Sequence, residues 1–244
     1  ALPQIASPLE LRQGILQRSG GNQFRLLFAV GDTTLRRLDL RNGGGPTYSG
    51  DGALLLSNPF SNLRIVDSTL SGGRTSGRGG ALRSADDAHL QGVTLHGNQA
   101  ADGGAWYLNV LSVGQLDNSV VSGNVATGGG GAIQVEAGSL TVRQSSVVGN
   151  YAGGTDIALS GGLQRAGAAS LTVRNSIVWG NRNGNGSAPQ ISTVGAGGGT
   201  LTVSNVLVEG GHVGGIGIVT NDPLFVTPLT ASATPSTAGN FQLG

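Results

Sequence analysis

The chain has 244 residues, of which 45 are glycine and none is cysteine, and its 14 basic and 13 acidic residues leave a formal net charge of +1. This balance gives no case for a partner held by charge alone, such as nucleic acid or an anionic membrane surface. The absence of cysteine excludes disulfides and thiolate metal sites. The absence of any apolar stretch of about 18 residues predicts that no helix spans a membrane.

The first part of the chain, residues 1–32, lies outside the regular pattern and is predicted to form an N-terminal coil or cap. From residue 33 to residue 220, short apolar strands run repeatedly into a corner of glycine or asparagine. The second residues of successive corners are 30, 25, 26, 26, 31 and 30 positions apart. A period of this length predicts stacked coils that bury their apolar faces only against each other. The seven corners are Asn42-Gly43, Gly72-Gly73, Gly97-Asn98, Gly123-Asn124, Gly149-Asn150, Gly180-Asn181 and Gly210-Gly211.

The segment before each corner has apolar residues two positions apart, as in a strand with one buried face. Leu140 and Val142 show this spacing, and the buried face resumes after a break at Gln144. Asparagine takes the place of Gln144 in the next two coils, and asparagine tolerates left-handed dihedrals. The repeat therefore predicts a bend at Gln144, Asn175 and Asn205.

A second strand is predicted after each corner, beyond a glycine-rich link. These strands are expected in Gly79-Gly80-Ala81-Leu82, Gly103-Gly104-Ala105-Trp106, Gly131-Ala132-Ile133-Gln134-Val135, Ile157-Ala158-Leu159 and Gly215-Ile216-Gly217-Ile218-Val219. No segment has helical spacing. We therefore predict an all-β fold, a single-stranded right-handed parallel β-helix of about seven coils. It forms one domain over residues 1–244, in which 33–220 are regular coils and 221–244 are a C-terminal closing segment.

Two elements of the repeat resemble those of polymorphic-outer-membrane-protein and related bacterial right-handed β-helix proteins. Gly130-Gly131-Ala132-Ile133 resembles their GGA(I/L) strand. Val121-Ser122-Gly123-Asn124 resembles their F-x-x-N strand end, with valine in place of phenylalanine. The flanks, residues 2–11 and 222–243, resemble the N-terminal strand and the closing segment of such proteins. The resemblance implies a bacterial surface architecture, and with it an extracellular or cell-surface location, but no activity.

An open coil exposes backbone groups that template the addition of another strand. We therefore expect the chain to associate with itself head to tail, the last coil of one copy pairing with the first coil of the next. The predicted function is that of a non-enzymatic extracellular structural protein, a surface, matrix or filament subunit with no cofactor, metal site or catalytic residue. The residues expected to carry the contact are Leu2, Ile5, Leu9, Leu11, Leu224, Phe225, Phe241 and Leu243.

A column of charged residues on the outer surface supports an alternative function, an adhesin that binds a glycan or another protein through its lateral face. Asp117, Arg143 and Arg174 occupy the same repeat position on successive coils, and Asp117 is expected to pair with Arg143. Trp179 completes the expected lateral contact.

A polysaccharide lyase or hydrolase is a further alternative, because parallel β-helices often carry such sites. These enzymes need clustered carboxylates, and the acidic residues scatter over the repeat. His89, His96 and His212 fall on separate coils without neighbouring acids, which favours surface residues over ligands.

Overall fold

The computed structural model describes residues 4–5, 8–187 and 189–244, none of which is helical. The strands that it describes are, in chain order, β1 (Gln4–Ile5), β2 (Leu9–Gln17), β3 (Leu27–Ala29), β4 (Thr33–Arg41), β5 (Leu55–Ser57), β6 (Leu63–Val66), β7 (Thr69–Ser71), β8 (Leu82–Ser84), β9 (Ala88–Gln91), β10 (Thr94–His96), β11 (Gln99–Ala100), β12 (Trp106–Leu108), β13 (Val113–Asp117), β14 (Val120–Ser122), β15 (Val125–Ala126), β16 (Ile133–Val135), β17 (Ser139–Arg143), β18 (Ser146–Val148), β19 (Tyr151–Ala152), β20 (Leu163–Ala166), β21 (Ser170–Trp179), β22 (Arg182–Asn183), β23 (Ile191–Val194), β24 (Leu201–Val208), β25 (Phe225–Thr227) and β26 (Asn240–Leu243).

Three sheets run along the molecule, because each strand pairs in parallel with its counterpart one coil away. The first sheet has the order β1-β3-β5-β8-β12-β16-β20-β23, and the third has the order β11-β15-β19-β22. The second sheet is the largest, with 12 strands. Stacking of these coils gives a β-solenoid of about seven turns, which confirms the parallel all-β fold predicted from the repeat.

The second sheet is bent along its length by residues in the left-handed conformation. Gln144, Asn175 and Asn205 have φ values of 50, 50 and 52°, as the repeat predicted. Strand residues before the bend form what we call the first limb: β6, β9, β13, β17 and the first halves of β2, β4, β21 and β24. Strand residues after the bend form the second limb: β7, β10, β14, β18 and the second halves of the same four strands.

Inward side chains of the first and second sheets fill one core. The register places equivalent residues on top of each other, so that Leu140 pairs with Leu171 and Leu171 with Leu201. Leu90 and Trp106 have no exposed surface. Burial of each large apolar side chain contributes about 1.5–3 kcal/mol, which makes the stacked side chains of the core the main source of stability.

A ladder of buried asparagines holds the corner that follows the second limb. Asn98, Asn124 and Asn150 have no exposed surface. Each side-chain amide donates to the Oδ1 of the next asparagine along the axis, at 2.9 Å. The same Oδ1 accepts the backbone N–H of the preceding asparagine at 2.9–3.0 Å. The ladder thus pairs backbone groups that burial would otherwise leave without a partner.

Two predicted strands differ in the structure. Residues 157–159 form a turn in which Ile157 is 73% exposed, and the strand of this coil is β20. This coil is one of the longest, and its additional residues extend the loop before the strand. Residues 215–219 form only single parallel bridges, from Ile216 to Ser204 and from Val219 to Leu207.

The C-terminal part of the chain lies on the flank of the solenoid. β25 and β26 pair antiparallel, and the rings of Phe225 and Phe241 meet edge to face with their centroids 5.4 Å apart. Between these strands, Ser236 donates its backbone N–H to the carbonyl of Gly123 at 2.9 Å. We call residues 224–243 the flank segment.

Candidate binding face

Alternate residues of the first limb point away from the core, because successive strand side chains face opposite sides. These residues and the bend next to them form a surface that we call the arginine face. Its charged side chains are six arginines and three carboxylates, whereas the whole chain carries 14 basic and 13 acidic residues. They are Arg12, Arg36, Arg37, Arg64, Arg143, Arg174, Glu10, Asp67 and Asp117.

The N-terminal part of the arginine face is a depression of about 370 Å³ lined by Arg12, Arg36, Arg37 and Asp67. Glu10 accepts hydrogen bonds from Arg12 and from Arg36, each at 2.8 Å. The hydrogen bond from Arg12 lowers the pKa of Glu10, an effect that the partial loss of hydration opposes. Two arginines thus share one carboxylate, which leaves this region positively charged.

The centre of the arginine face is a chain of hydrogen bonds across three coils. Nη1 of Arg64 lies 2.9 Å from Nδ1 of His89, and Nε2 of His89 lies 2.9 Å from Asp117. Guanidinium nitrogens can only donate. Nδ1 of His89 is therefore the acceptor, and the neutral imidazole donates its Nε2 proton to Asp117.

Asp117 is the carboxylate that anchors this chain. Arg143 donates to both of its oxygens, at 2.5 Å, and His89 donates to one of them. Burial raises the pKa of Asp117, but the hydrogen bonds from Arg143 and His89 outweigh it and the pKa lies below its usual value. No carboxylate of the described residues forms an ion pair with Arg37, Arg64 or Arg174.

A groove of about 230 Å³ runs beside this chain of hydrogen bonds. One wall carries Arg64, His89 and Gln115, and the other carries Asn62, the exposed carboxylate of Asp87, and Val113. Asn62 ends the corner at residues 58–62 that connects the first sheet to the first limb, and Val113 is the first residue of β13, directly after the equivalent corner at residues 109–112. The groove is therefore polar on the strand side and bounded by corner residues on the other.

The structure brings three of the four predicted lateral residues together. Asp117 pairs with Arg143 in register, and Arg143 with Arg174, so that they form one column of the arginine face. Trp179 lies apart from them, on the second limb, where it pairs with Val148.

The residues predicted for head-to-tail contact lie in two places. Leu2 is outside the described residues. Ile5 belongs to β1 and pairs with Ala29 of β3, while Leu9 and Leu11 belong to β2. Leu11 packs against the core, and Leu9 is 38% exposed.

The C-terminal members of the predicted contact lie on the flank segment. Phe225 is buried, and Phe241 lies beside Thr94 and His96 of the second limb. Leu224 and Leu243 are 66% and 63% exposed.

Sequence reasoning missed the partner of His89. The prediction that the histidines have no neighbouring acid is wrong here, because Asp117 lies 2.9 Å from the imidazole. The two residues are 28 positions apart and sit on neighbouring coils in adjacent outward columns, since Gln115 pairs with His89 and Asp117 with Gln91. An alignment of the coils that compares adjacent outward columns, and not only equivalent positions, would bring His89 and Asp117 together.

Comparisons of the chain with protein-family models, with curated proteins and with solved structures find no match. The resemblance of the repeat to surface β-helix proteins therefore remains an interpretation of its motifs. In the described part of the chain, no group of three or more histidine, cysteine or acidic side chains is placed to hold a metal ion. The same residues contain no helix long and apolar enough to cross a membrane.

Proposed function

We propose that the protein is a non-enzymatic extracellular surface protein that binds an acidic polysaccharide along its arginine face. The observation that carries this proposal is the separation of charge. The face has twice as many arginines as carboxylates, although the chain as a whole is almost neutral. A surface with an excess of one sign attracts ligands of the other and raises their rate of encounter.

The repeat of the solenoid suits a linear polymer. Equivalent side chains recur about every 4.8 Å along parallel strands, so a polymer lying along the axis meets the same kind of group at each coil. Arginine presents a planar fork of donors that binds a carboxylate or sulfate through two hydrogen bonds. Arg37, Arg64 and Arg174, which have no carboxylate partner among the described residues, are the expected contacts.

The state of the titratable groups favours binding over catalysis. Both ring nitrogens of His89 are engaged, by Arg64 and by Asp117. Arg143 holds the carboxylate of Asp117 in its charged form. His89 therefore has no free nitrogen lone pair for general-base catalysis in this arrangement, and the lowered pKa of Asp117 makes its carboxylate a weak base.

Matched double variants test the proposal with polygalacturonate, a polymer of uronic acid. We expect Arg37→Gln/Arg174→Gln to weaken binding roughly 10-fold, since two charge-assisted hydrogen-bonding groups are lost. Arg74→Gln/Arg78→Gln removes the same charge from exposed positions off the face and is expected to have less than about a 2-fold effect. Equal losses in the two variants, or no binding by the native protein, would contradict the proposal. Release of unsaturated or shortened sugars would contradict the non-enzymatic part.

End-to-end self-association is a second candidate function, favoured by exposed apolar side chains at both axial ends of the described coils. Ile15 of β2 is 63% exposed, and Ile216, which bridges to β24, is 75% exposed. We expect sedimentation velocity to show assemblies that grow with concentration and that Ile15→Arg/Ile216→Arg abolishes. Val226→Arg, on the flank segment, is the control, and a native protein that stays monomeric at high concentration would contradict this function.

A further inference from the structure

Two exposed apolar residues occupy equivalent corners beside the groove. Phe60 is 94% exposed and Leu111 is 82% exposed. Both have left-handed backbones, with φ values of 67 and 68°. Their corners, residues 58–62 and 109–112, connect the same two sheets two coils apart, and the corner of the coil between them, residues 85–87, carries the carboxylates of Asp86 and Asp87.

Each of these positions is costly for the fold. The left-handed conformation brings the Cβ of an L-residue close to the following carbonyl oxygen, and large side chains rarely adopt it. Exposure of an aromatic or leucine side chain gives none of the free energy that burial would provide. Glycine would remove both costs, and glycine is abundant at other corners of this chain.

The position of the two corners relates them to the arginine face. Val110 of the second corner and Val113, the first residue of β13, are 49% and 44% exposed, so the apolar surface continues from Leu111 to the wall of the groove. The opposite wall carries Arg64 and His89. One side of the groove therefore carries apolar residues on two coils, which we call the rim, with Asp87 on the coil between them, and the other side carries the guanidinium of Arg64 beside the neutral imidazole of His89.

Phe60 and Leu111 differ from the other exposed apolar residue with a left-handed backbone in their position beside the groove. Leu224 also combines a left-handed backbone, with φ of 54°, and 66% exposure. It lies on the flank segment, away from the groove. Leu224 has the same cost without the same neighbours and provides a matched control.

We propose that Phe60 and Leu111 pack against the sugar rings of the acidic polysaccharide whose anionic groups bind the arginine face. The inference rests on the proposed function and names what selects the ligand. A sugar ring offers an apolar C–H surface beside its charged groups, whereas inorganic polyphosphate offers charge alone. Burial of apolar surface at the rim stabilises only the glycan complex.

The test compares two polymers and three variants. We expect Phe60→Gly/Leu111→Gly to lower the affinity for polygalacturonate roughly 10-fold while binding of inorganic polyphosphate stays within about 2-fold, because only the apolar contact is lost. The unfolding temperature is expected to stay the same or rise, since glycine relieves the left-handed strain. Leu224→Gly is expected to change neither affinity, and Phe60→Trp to retain the affinity for polygalacturonate.

Three other results of this experiment would overturn the proposed role of Phe60 and Leu111. An unchanged affinity of the double glycine variant for polygalacturonate would overturn the role of the rim and leave the proposed function standing. Equal losses for both polymers would also overturn it, because they would mean a general disturbance of the groove. A native protein that binds polyphosphate but not polygalacturonate would overturn the rim and the proposed polysaccharide ligand together.

Discussion

The two limbs of the bent sheet are built by the same coils, yet their outer faces differ. The first limb presents arginines and a groove to solvent. Part of the second limb is covered by the flank segment, in which Ser236 hydrogen-bonds to the backbone of Gly123 and Leu229 lies against Gly149. The covered limb therefore uses its outer surface within the molecule, and the open limb leaves its outer surface free for a partner.

The corner glycines show how the covered limb accepts the flank segment. Gly123 has a φ of 60°, which glycine adopts without strain. A Cβ at this position would also lie 2.1 Å from the carbonyl oxygen of Ser236. The residue is glycine for two separate reasons, a turn of the chain and the close approach of a second segment.

The largest predicted effect concerns the asparagine ladder at the end of the covered limb. We expect Asn124→Ala to lower the free energy of unfolding by roughly 3–5 kcal/mol, because it leaves several buried donors and acceptors without partners. Asn175→Ala, at the exposed bend between the limbs, is expected to cost about 1 kcal/mol or less. Urea unfolding measures both, and equal losses would show that the buried ladder has no special weight.

A smaller effect is predicted for the contact between corner glycine and flank segment. We expect Gly123→Ala to cost about 2–4 kcal/mol, from left-handed strain and from the clash with Ser236. Gly210→Ala has a similar φ, 74°, but nothing within 4 Å of the added Cβ, and is expected to cost about 1–2 kcal/mol.

Hydrogen exchange identifies the origin of that difference. Only Gly123→Ala is expected to speed exchange in residues 225–243. If both variants speed it equally, or neither does, the close approach of Ser236 does not hold the segment in place.

The smallest predicted effect is a pH dependence confined to the covered limb. Burial lowers the pKa of His96, and the charge of Arg41 acts in the same direction, while a hydrogen bond with the backbone at Thr237 and the charge of Asp39 oppose it. Docking of the flank segment favours the neutral imidazole of His96. The contribution of His96 to the stability of the docked segment is therefore full above the pKa of an exposed histidine. It is lost as the pH falls below about 6.5.

Hydrogen exchange of residues 225–243, corrected for intrinsic rates, checks this dependence. We expect exchange to become a few-fold faster between pH 8 and pH 5 and His96→Asn to remove the change. His212→Asn is the control, since burial also lowers the pKa of His212. A native protein without the dependence, or a His96→Asn variant that keeps it, would contradict the role of His96.

Some of these features could be predicted from the sequence because they repeat. The alternation of Leu140 and Val142 and the break at Gln144 recur with the period, and the structure has the expected strands and bend. The Gly-Asn pairs predict corners, but nothing in the local sequence shows that the side chain of Asn124 points inward to the neighbouring asparagines. That outcome depends on the stacking of whole coils.

The flank segment could not be predicted in the same way. Its residues from Thr227 to Gly239 carry no repeat, so no period assigns them to a coil, and their contact with Gly123 is set by tertiary packing alone. The arginine face could be predicted from the sequence only in part. The repeat predicts the pairing of Asp117 with Arg143, whereas the link from Asp117 to Arg64 passes through His89, which lies in the adjacent outward column.

Arginine footprinting tests the central claim most directly, because every basic residue of the chain is arginine. Phenylglyoxal labelling with and without polygalacturonate, read by mass spectrometry, reports on all of them at once. The account predicts that the polymer slows labelling of Arg37, Arg64 and Arg174 and leaves Arg74 and Arg78 unchanged. Equal protection of both sets, or protection of Arg74 and Arg78 alone, would contradict it.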